Sequence, residues 1–213
     1  MAEPRKLTPA EEARLAQVRE QFKQKQDISK SLNSIKYRIG VYSGKGGVGK
    51  TTVTTNLALI LAKHGKKVAI LDCDIDCPNV TRVLRISNRP ESDADGKMIP
   101  PEKYGVSVMS MGFFQENEDE AIVWRGPMIH NAINQFISKT NWGDIDYLLC
   151  DLPPGTSDAP LTVMQTLNLD GFIIVTAPQK VAKLDAIRSI NTVSYTHLRA
   201  HETSLHLVCR LLL

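Results

Sequence analysis

A glycine-rich segment at residues 44–51 has the residue types and spacing of a phosphate-binding loop. Its sequence, GKGGVGKT, satisfies the pattern G-x-x-x-x-G-K-[ST] at every fixed position. Glycines let the backbone approach phosphate oxygens closely, and amides at the start of the following helix point toward the anion. We predict that Lys50 contacts the β and γ phosphates of a nucleotide and that the Thr51 hydroxyl binds Mg²⁺. The predicted nucleotide-binding residues are Gly44, Lys45, Gly46, Gly47, Val48, Gly49, Lys50, Thr51 and Thr52.

Aspartates at the ends of two apolar segments could complete a metal and water site. Asp151 ends the segment YLLCD and fits the carboxylate that supports the metal. The segment LDCDID offers Asp72, Asp74 and Asp76. We predict that Asp74 positions or deprotonates the attacking water, although any of the three could instead only cap the loop. The predicted metal ligands are therefore Thr51 and Asp151.

The elements around the loop alternate between apolar strands and helices. Strands rich in Val, Ile and Leu that alternate with helices favour an α/β fold with a mostly parallel sheet, covered on both faces. Residues 87–105 are rich in Pro, Gly and charge and are predicted to form a surface loop. The predicted strands, with their loops, are 37–43, 66–74, 106–112, 147–155 and 171–179, and the predicted helices are 51–65 and 126–142.

The composition restricts the classes of partner. A formal net charge of +3 over 213 residues is too small to argue for nucleic acid. No apolar run approaches the roughly 20 residues that a membrane-spanning helix needs. The polar N-terminus is not a secretory signal, and four cysteines without framework spacing indicate a reducing compartment. We therefore expect a cytoplasmic protein that binds neither nucleic acid nor membrane.

Five segments carry a resemblance to a known family. SGKGGVGKTT resembles the deviant Walker A box of the SIMIBI-class ATPases, which include MinD and ParA. LDCDIDCPNVTRVL, VWRGPM, YLLCDLPPGTSDAPLTVMQTL and GFIIVTAPQ are similar to segments of the Mrp/NBP35 (ApbC) family. The resemblance covers roughly residues 35–192. It implies a three-layer P-loop NTPase fold, truncated at its C-terminus, and slow Mg²⁺-dependent hydrolysis of ATP.

The resemblance also implies partners and a role for the second lysine of the loop. Lys45 would be a catalytic residue together with Lys50 and Asp74, because the corresponding lysine of the class reaches the partner's nucleotide in a homodimer. Members of the family are implicated in carrying iron–sulfur clusters to apo client proteins. Two alternatives stay open: a positioning ATPase like MinD or ParA that binds membrane or DNA, and a scaffold that binds ATP without hydrolysing it.

The cluster site implied by the resemblance is not found in this sequence. The family holds a bridging 4Fe-4S cluster with a C-terminal Cys-x-x-Cys pair from each subunit, and no such pair is present. Cys73 and Cys77 have C-x₃-C spacing, which is weak evidence for cluster ligation. Cys150 lies among apolar residues and is interpreted as a small core side chain. We therefore predict no iron–sulfur ligands in this chain.

The two ends of the chain differ in character from the middle. Residues 8–26 predict an N-terminal helix that begins at Thr8, with Glu11 completing a capping box. VSYTHLRAHET and LVCRLLL, separated by three residues, resemble a translated sequencing adapter. The expected organisation is a helical extension at 1–34, an incomplete P-loop ATPase domain at 35–192 and a non-native tail at 193–213.

Overall fold

The computed structural model describes residues 14, 15, 18, 19, 26, 28–74, 77–114, 126–156 and 158–197. Most of the predicted N-terminal helix lies outside these residues. Within it, Leu15 and Val18 are helical and exposed. The side chains of Asp76, Trp124 and Ser157, which belong to the segments that carry the family resemblance, also lie outside the described residues.

A six-stranded sheet forms the centre of the fold. The strand order is β5-β6-β2-β7-β1-β8, and every pairing is parallel except that of β5 with β6. This arrangement confirms the predicted α/β class and the mostly parallel sheet. The strands are β1 (Ile35–Tyr42), β2 (Val68–Asp72), β3 (Glu91–Ser92), β4 (Met98–Ile99), β5 (Glu102–Lys103), β6 (Val106–Ser110), β7 (Ile145–Asp151) and β8 (Gly171–Ile174).

Four helices connect strands of the described chain, and a further helix follows the last strand. Helix α1 begins directly after Gly49, and Gly65, with φ of 74°, follows its C-terminal end as predicted. None of the described helices has the length and apolar content required to cross a membrane. The helices are α1 (Lys50–Lys63), α2 (Val80–Leu84), α3 (Gly126–Lys139), α4 (Asp158–Leu167) and α5 (Lys180–His197), with a 3₁₀ turn at Met111–Phe113.

The apolar core lies on the central strands. All five residues of β2 are buried, and so are the last four residues of β7. Strands covered on both faces read as continuous apolar runs, which explains why VAILD and YLLCD are apolar without alternation. Each fully buried Leu or Ile contributes about 1.5–3 kcal/mol of transfer free energy, so these strands form a rigid base for the polar groups at their ends.

The segment at residues 87–105 is more ordered than a surface loop. Strands β3 and β4 form a short antiparallel hairpin, and β5 adds an antiparallel edge to β6. The turn depends on Asp93, whose carboxylate accepts hydrogen bonds from the backbone amides of Asp95 and Lys97. Gly96 lies within the turn with φ of 75°, a conformation that glycine adopts without strain. The hydrogen bonds of this turn therefore stabilise a two-stranded hairpin in a segment whose composition predicted only a loop.

The edge strand β8 is attached to β1 by both backbone and side chain. The Arg38 guanidinium donates two hydrogen bonds of 2.9 Å to the Asp170 carboxylate, and the Arg38 amide donates a third of 2.8 Å. Burial alone would raise the pKa of Asp170, but these bonds from Arg38 outweigh it and lower that pKa. This bidentate pair fixes the register of β1, the strand that leads into the phosphate loop.

Candidate nucleotide-binding site

Three strand ends meet at the carboxyl edge of the sheet. In the register of the sheet, Asp151 at the end of β7 lies opposite Asp72 on β2 and Val41 on β1. Residues 43–49 leave β1 at this level and turn into helix α1. Ligands of open α/β sheets bind at this edge, in the crevice beyond the carboxyl ends of the strands.

The phosphate loop leaves open space where an anion would lie. Gly47 and Gly49 have φ of 76° and 93°, which side-chain-bearing residues rarely adopt. A Cβ atom built on either of them meets no atom within 4 Å, and one on Gly46 meets only Pro154, at 4.0 Å. No side chain caps the N-terminus of α1, so its first amides are available to a ligand. The loop therefore has the shape and the donors of a phosphate cradle.

Lys50 lies beneath the loop and is only 7% exposed. Its Nζ lies 2.9 Å from Asp151 Oδ1 and 3.9 Å from Asp74 Oδ2. These are ion pairs by distance, but Nζ makes no well-directed hydrogen bond in the described part of the chain. A buried ammonium with unused protons fits an additional acceptor such as a phosphate oxygen.

Asp151 is held by three side chains of helix α1. Thr51 Oγ1 donates to Asp151 Oδ2 at 2.7 Å, and Thr54 Oγ1 donates to Oδ1 at 2.9 Å. Lys50 Nζ adds its ion pair at Oδ1. The side chain of Asp151 is 1% exposed, so its charge depends on these partners rather than on water. The structure thus brings together Lys50, Thr51 and Asp151, as the sequence predicted.

The aspartates after β2 differ in their surroundings. Asp72 is fully buried and accepts hydrogen bonds from the amides of Asp74 and Val80 and from the Ser110 hydroxyl, at 3.1–3.2 Å. Asp72 therefore caps the loop through the backbone amides of Asp74 and Val80, which is one of the roles that the sequence left open for the aspartates after β2. Asp74 is 14% exposed and faces Lys50, and its Oδ1 accepts a hydrogen bond of 3.3 Å from the Cys77 amide.

The environment of Asp72 changes its protonation. Burial, and after it the negative charge of Asp151, raises the pKa of Asp72 to about 7, although its hydrogen bonds and Lys50 act in the opposite direction. An exposed aspartate loses its proton near pH 4, so between about pH 4 and 7 the folded chain binds more protons here than the unfolded chain. The contribution of Asp72 to stability therefore falls as the pH rises through that interval.

The second lysine of the loop, Lys45, is exposed. Its backbone carbonyl accepts a hydrogen bond of 3.0 Å from the Ser43 hydroxyl, which fixes the start of the loop. Its ammonium has no acidic partner within 4.0 Å among the described side chains. Thr52 is also exposed, and its carbonyl accepts a hydrogen bond of 2.8 Å from Asn56. Within the described part of the chain, the side-chain partners of Asp151 are Lys50, Thr51 and Thr54 rather than Lys45 or Thr52.

The cysteines near the site do not form a shared ligand set. Cys73 and Cys150 are buried, whereas Cys77 is exposed. Burial, and after it contact with Cys150, raises the pKa of the Cys73 thiol well above its usual range, which disfavours the thiolate that a metal requires. The described residues contain no group of three or more His, Cys, Asp or Glu side chains arranged to hold a metal ion.

The residues present fit a nucleotide with a hard divalent cation. The phosphates would lie over the open glycines and beside the unused protons of Lys50. The Thr51 hydroxyl and the Asp151 carboxylate are oxygen ligands of the kind that Mg²⁺ prefers.

Thr54 was missed by the sequence analysis. The sequence feature that could have indicated Thr54 is its position four residues after Lys50, because residues i and i+4 lie on the same face of a helix. The run TTVTT contains four threonines, so the sequence does not show which of them reaches Asp151.

A family model and several known proteins are similar to this chain in sequence. A ParA family model, described as NUBPL iron-transfer P-loop NTPase, matches residues 34–201. The iron-sulfur cluster carrier protein of Methanococcus maripaludis is 43% identical over 173 residues, which cover 80% of this chain and 60% of that protein. This chain therefore spans less than two thirds of the length of that relative.

Two solved structures are similar in fold. The nucleotide-binding protein of Archaeoglobus fulgidus, in complex with ADP, has a TM-score of 0.70 and 38% identity, and the match covers 80% of this chain and 66% of that one. MinD of Pyrococcus horikoshii, complexed with Mg-ADP, has a TM-score of 0.55 and 22% identity, with 76% and 66% covered. The second likeness shows the three-layer α/β fold alone.

Proposed function

Because this chain belongs to the ParA family of P-loop NTPases, to the group described as NUBPL iron-transfer, we propose that it is the ATP-hydrolysing switch of an iron–sulfur cluster carrier. The observation that carries the proposal is the convergence of Lys50, Thr51 and Asp151 below an open glycine loop. The name of the Methanococcus relative supports the cargo, and the ADP complex of the Archaeoglobus protein supports the nucleotide.

Binding of ATP would use groups that are already in place. The amides of residues 44–51 would donate to the phosphates, and Lys50 would turn from Asp151 toward the β and γ phosphates. Thr51 and Asp151 would hold Mg²⁺ at the same edge of the sheet. When bound, Mg²⁺ supplies positive charge that stabilises the phosphate oxygens during transfer.

Hydrolysis requires a residue that positions water and a cation on the opposite side of the transferred group. Asp74 is the candidate for the first role, because its carboxylate faces Lys50 and remains partly exposed. The exposed Lys45 is the candidate for the second role, acting across a homodimer on the partner's nucleotide. Turnover would then depend on dimerisation.

The action of Lys45 in trans has a direct test. The Lys45→Ala and Lys50→Ala variants are each expected to be nearly inactive alone, because one lacks the donated cation and the other a functional nucleotide site. In a mixture, the Lys45→Ala protomer keeps its own Lys50 and receives Lys45 from its partner. Phosphate release from the mixture should therefore exceed the sum of the two variants measured separately. Activity that merely averages the two would contradict the proposal.

The cargo is tested by anaerobic incubation with ferrous iron and sulfide, followed by gel filtration. An amount of retained iron that differs between the ATP-bound and nucleotide-free states would support the cargo, and it would contradict the prediction that this chain has no iron–sulfur ligands. The same treatment of Lys50→Ala should remove the difference, since the loop would no longer respond to ATP. A chain that retains no iron in any nucleotide state would limit the function to the ATP switch.

A further inference from the structure

The carboxylate of Asp151 has an uneven set of partners. Its Oδ2 accepts one hydrogen bond, from Thr51. Its Oδ1 has two neighbours, Lys50 Nζ and Thr54 Oγ1, each at 2.9 Å. Because Asp151 is almost fully buried, water cannot replace a partner that leaves Oδ1.

The Thr54 hydroxyl has two acceptors within reach but only one proton. It lies 2.9 Å from Asp151 Oδ1 and 3.0 Å from the Lys50 carbonyl, four residues earlier in α1. While Lys50 Nζ is paired with Oδ1, the hydroxyl can donate to either acceptor. A hydrogen bond to an ionised carboxylate is about twice as strong as one to a neutral carbonyl, so loss of the lysine would favour donation to Asp151.

We propose that Thr54 is a positioning residue that becomes the partner of Asp151 Oδ1 when Lys50 turns to the nucleotide phosphates. This inference rests on the proposed function, since it assumes that a nucleotide draws Lys50 away. Thr54 would then keep Oδ1 in place, so that Oδ2 stays directed at the Thr51 hydroxyl and the metal position.

If Thr54 has this role, removing its hydroxyl should affect only the nucleotide-bound state. In the free protein, Thr54→Val leaves Oδ1 paired with Lys50, so the melting temperature should change little. In the bound state, the same variant leaves Oδ1 buried and without a donor. An unpaired buried acceptor of this kind is expected to weaken binding of Mg-ADP about tenfold.

Thr55 provides a matched control in the next position of the helix. It is 1% exposed, and Thr54 is fully buried. The Thr55 hydroxyl also donates to helix carbonyls, those of Thr51 and Thr52. It has no recorded hydrogen bond to Asp151 within the described structure. Thr55→Val therefore also replaces a threonine hydroxyl with a methyl group, but it leaves the partners of Asp151 Oδ1 unchanged.

The experiment is calorimetric titration of the full chain with ADP, with and without Mg²⁺, together with melting in the absence of nucleotide. Thr54→Val should bind Mg-ADP about tenfold more weakly than wild type, whereas Thr55→Val and Thr54→Ser should stay within about twofold. Equal affinities for wild type and Thr54→Val would overturn the inference and leave the proposed function intact. Equal losses in the two valine variants, or a loss confined to the free protein's melting temperature, would also overturn it. Wild type that binds no Mg-ADP would overturn the proposed function and the inference together.

Discussion

Replacing Lys50 with alanine is expected to reduce ATP turnover by at least about 100-fold, the scale seen when one preorganised charge-stabilising donor is removed from an active site. Lys50 is the buried cation of the loop, and its Nζ has protons that no described group accepts in a well-directed hydrogen bond. The variant should remain folded, because Thr51 and Thr54 still donate to Asp151. The measurements are phosphate release and a thermal melt of the same sample.

Lys63 offers a control on the same helix. It is exposed in the last turn of α1, at the end opposite to the phosphate loop. Lys63→Ala should therefore hydrolyse ATP at the wild-type rate. Unchanged turnover in Lys50→Ala would contradict the assignment of the loop. If Lys50→Ala did not fold, its loss of turnover would be a loss of stability instead.

Replacing Gly44 with alanine is expected to destabilise the fold by about 3 kcal/mol, at the upper end of the usual cost of overpacking. A Cβ atom there would lie 2.5 Å from the carbonyl oxygen of Asp185 and 2.7 Å from Ser189 Oγ, both on α5. Because the nearest atom belongs to the backbone, no side chain can rotate away to relieve the contact. Gly44 is therefore needed for packing of α5 against the start of the loop, and chemical denaturation measures the loss.

Gly46 separates this packing effect from nucleotide binding. A Cβ atom at Gly46 meets only Pro154, at 4.0 Å, so Gly46→Ala should melt like wild type. It should nevertheless weaken nucleotide binding, because the methyl group would enter the space over the loop. Equal stability of Gly44→Ala and wild type would show that α5 does not pack against the loop.

The parts of the site that follow from local sequence could be predicted. A phosphate loop requires glycines, a lysine and a hydroxyl at fixed spacing, so residues 44–51 revealed it without tertiary information. The ends of parallel strands meet at one edge of a sheet, which placed Asp74 and Asp151 beside Lys50. These predictions needed only the order of the elements.

The parts that depend on contacts between distant residues could not be predicted. The Asp72 carboxylate also accepts a hydrogen bond from the Ser110 hydroxyl, 38 residues away on β6. Which of the neighbouring threonines reaches Asp151 depends on the rotation of α1 over β7, and in the structure it is Thr54 that donates to Asp151 Oδ1. The hairpin of β3 and β4 also has long-range partners, because the Asn141 side-chain amide donates to the Asp93 carboxylate and the Asn141 backbone amide donates to the Met98 carbonyl.

Several expectations remain predictions. The family match extends to residue 201 and α5 extends to His197, so both overlap the segment 193–213 that resembles a translated adapter. Neither finding tests the origin of that segment, and sequencing the gene across codon 192 would do so.

The most direct test of the ATP switch is a single turnover with protein in excess over ATP, in Mg²⁺ and in a chelator, followed by analysis of the nucleotide recovered. We expect ADP and phosphate to form slowly in Mg²⁺ and ATP to be recovered intact in the chelator. ATP recovered intact in both samples, although bound, would contradict hydrolysis and identify the chain as a nucleotide-binding scaffold.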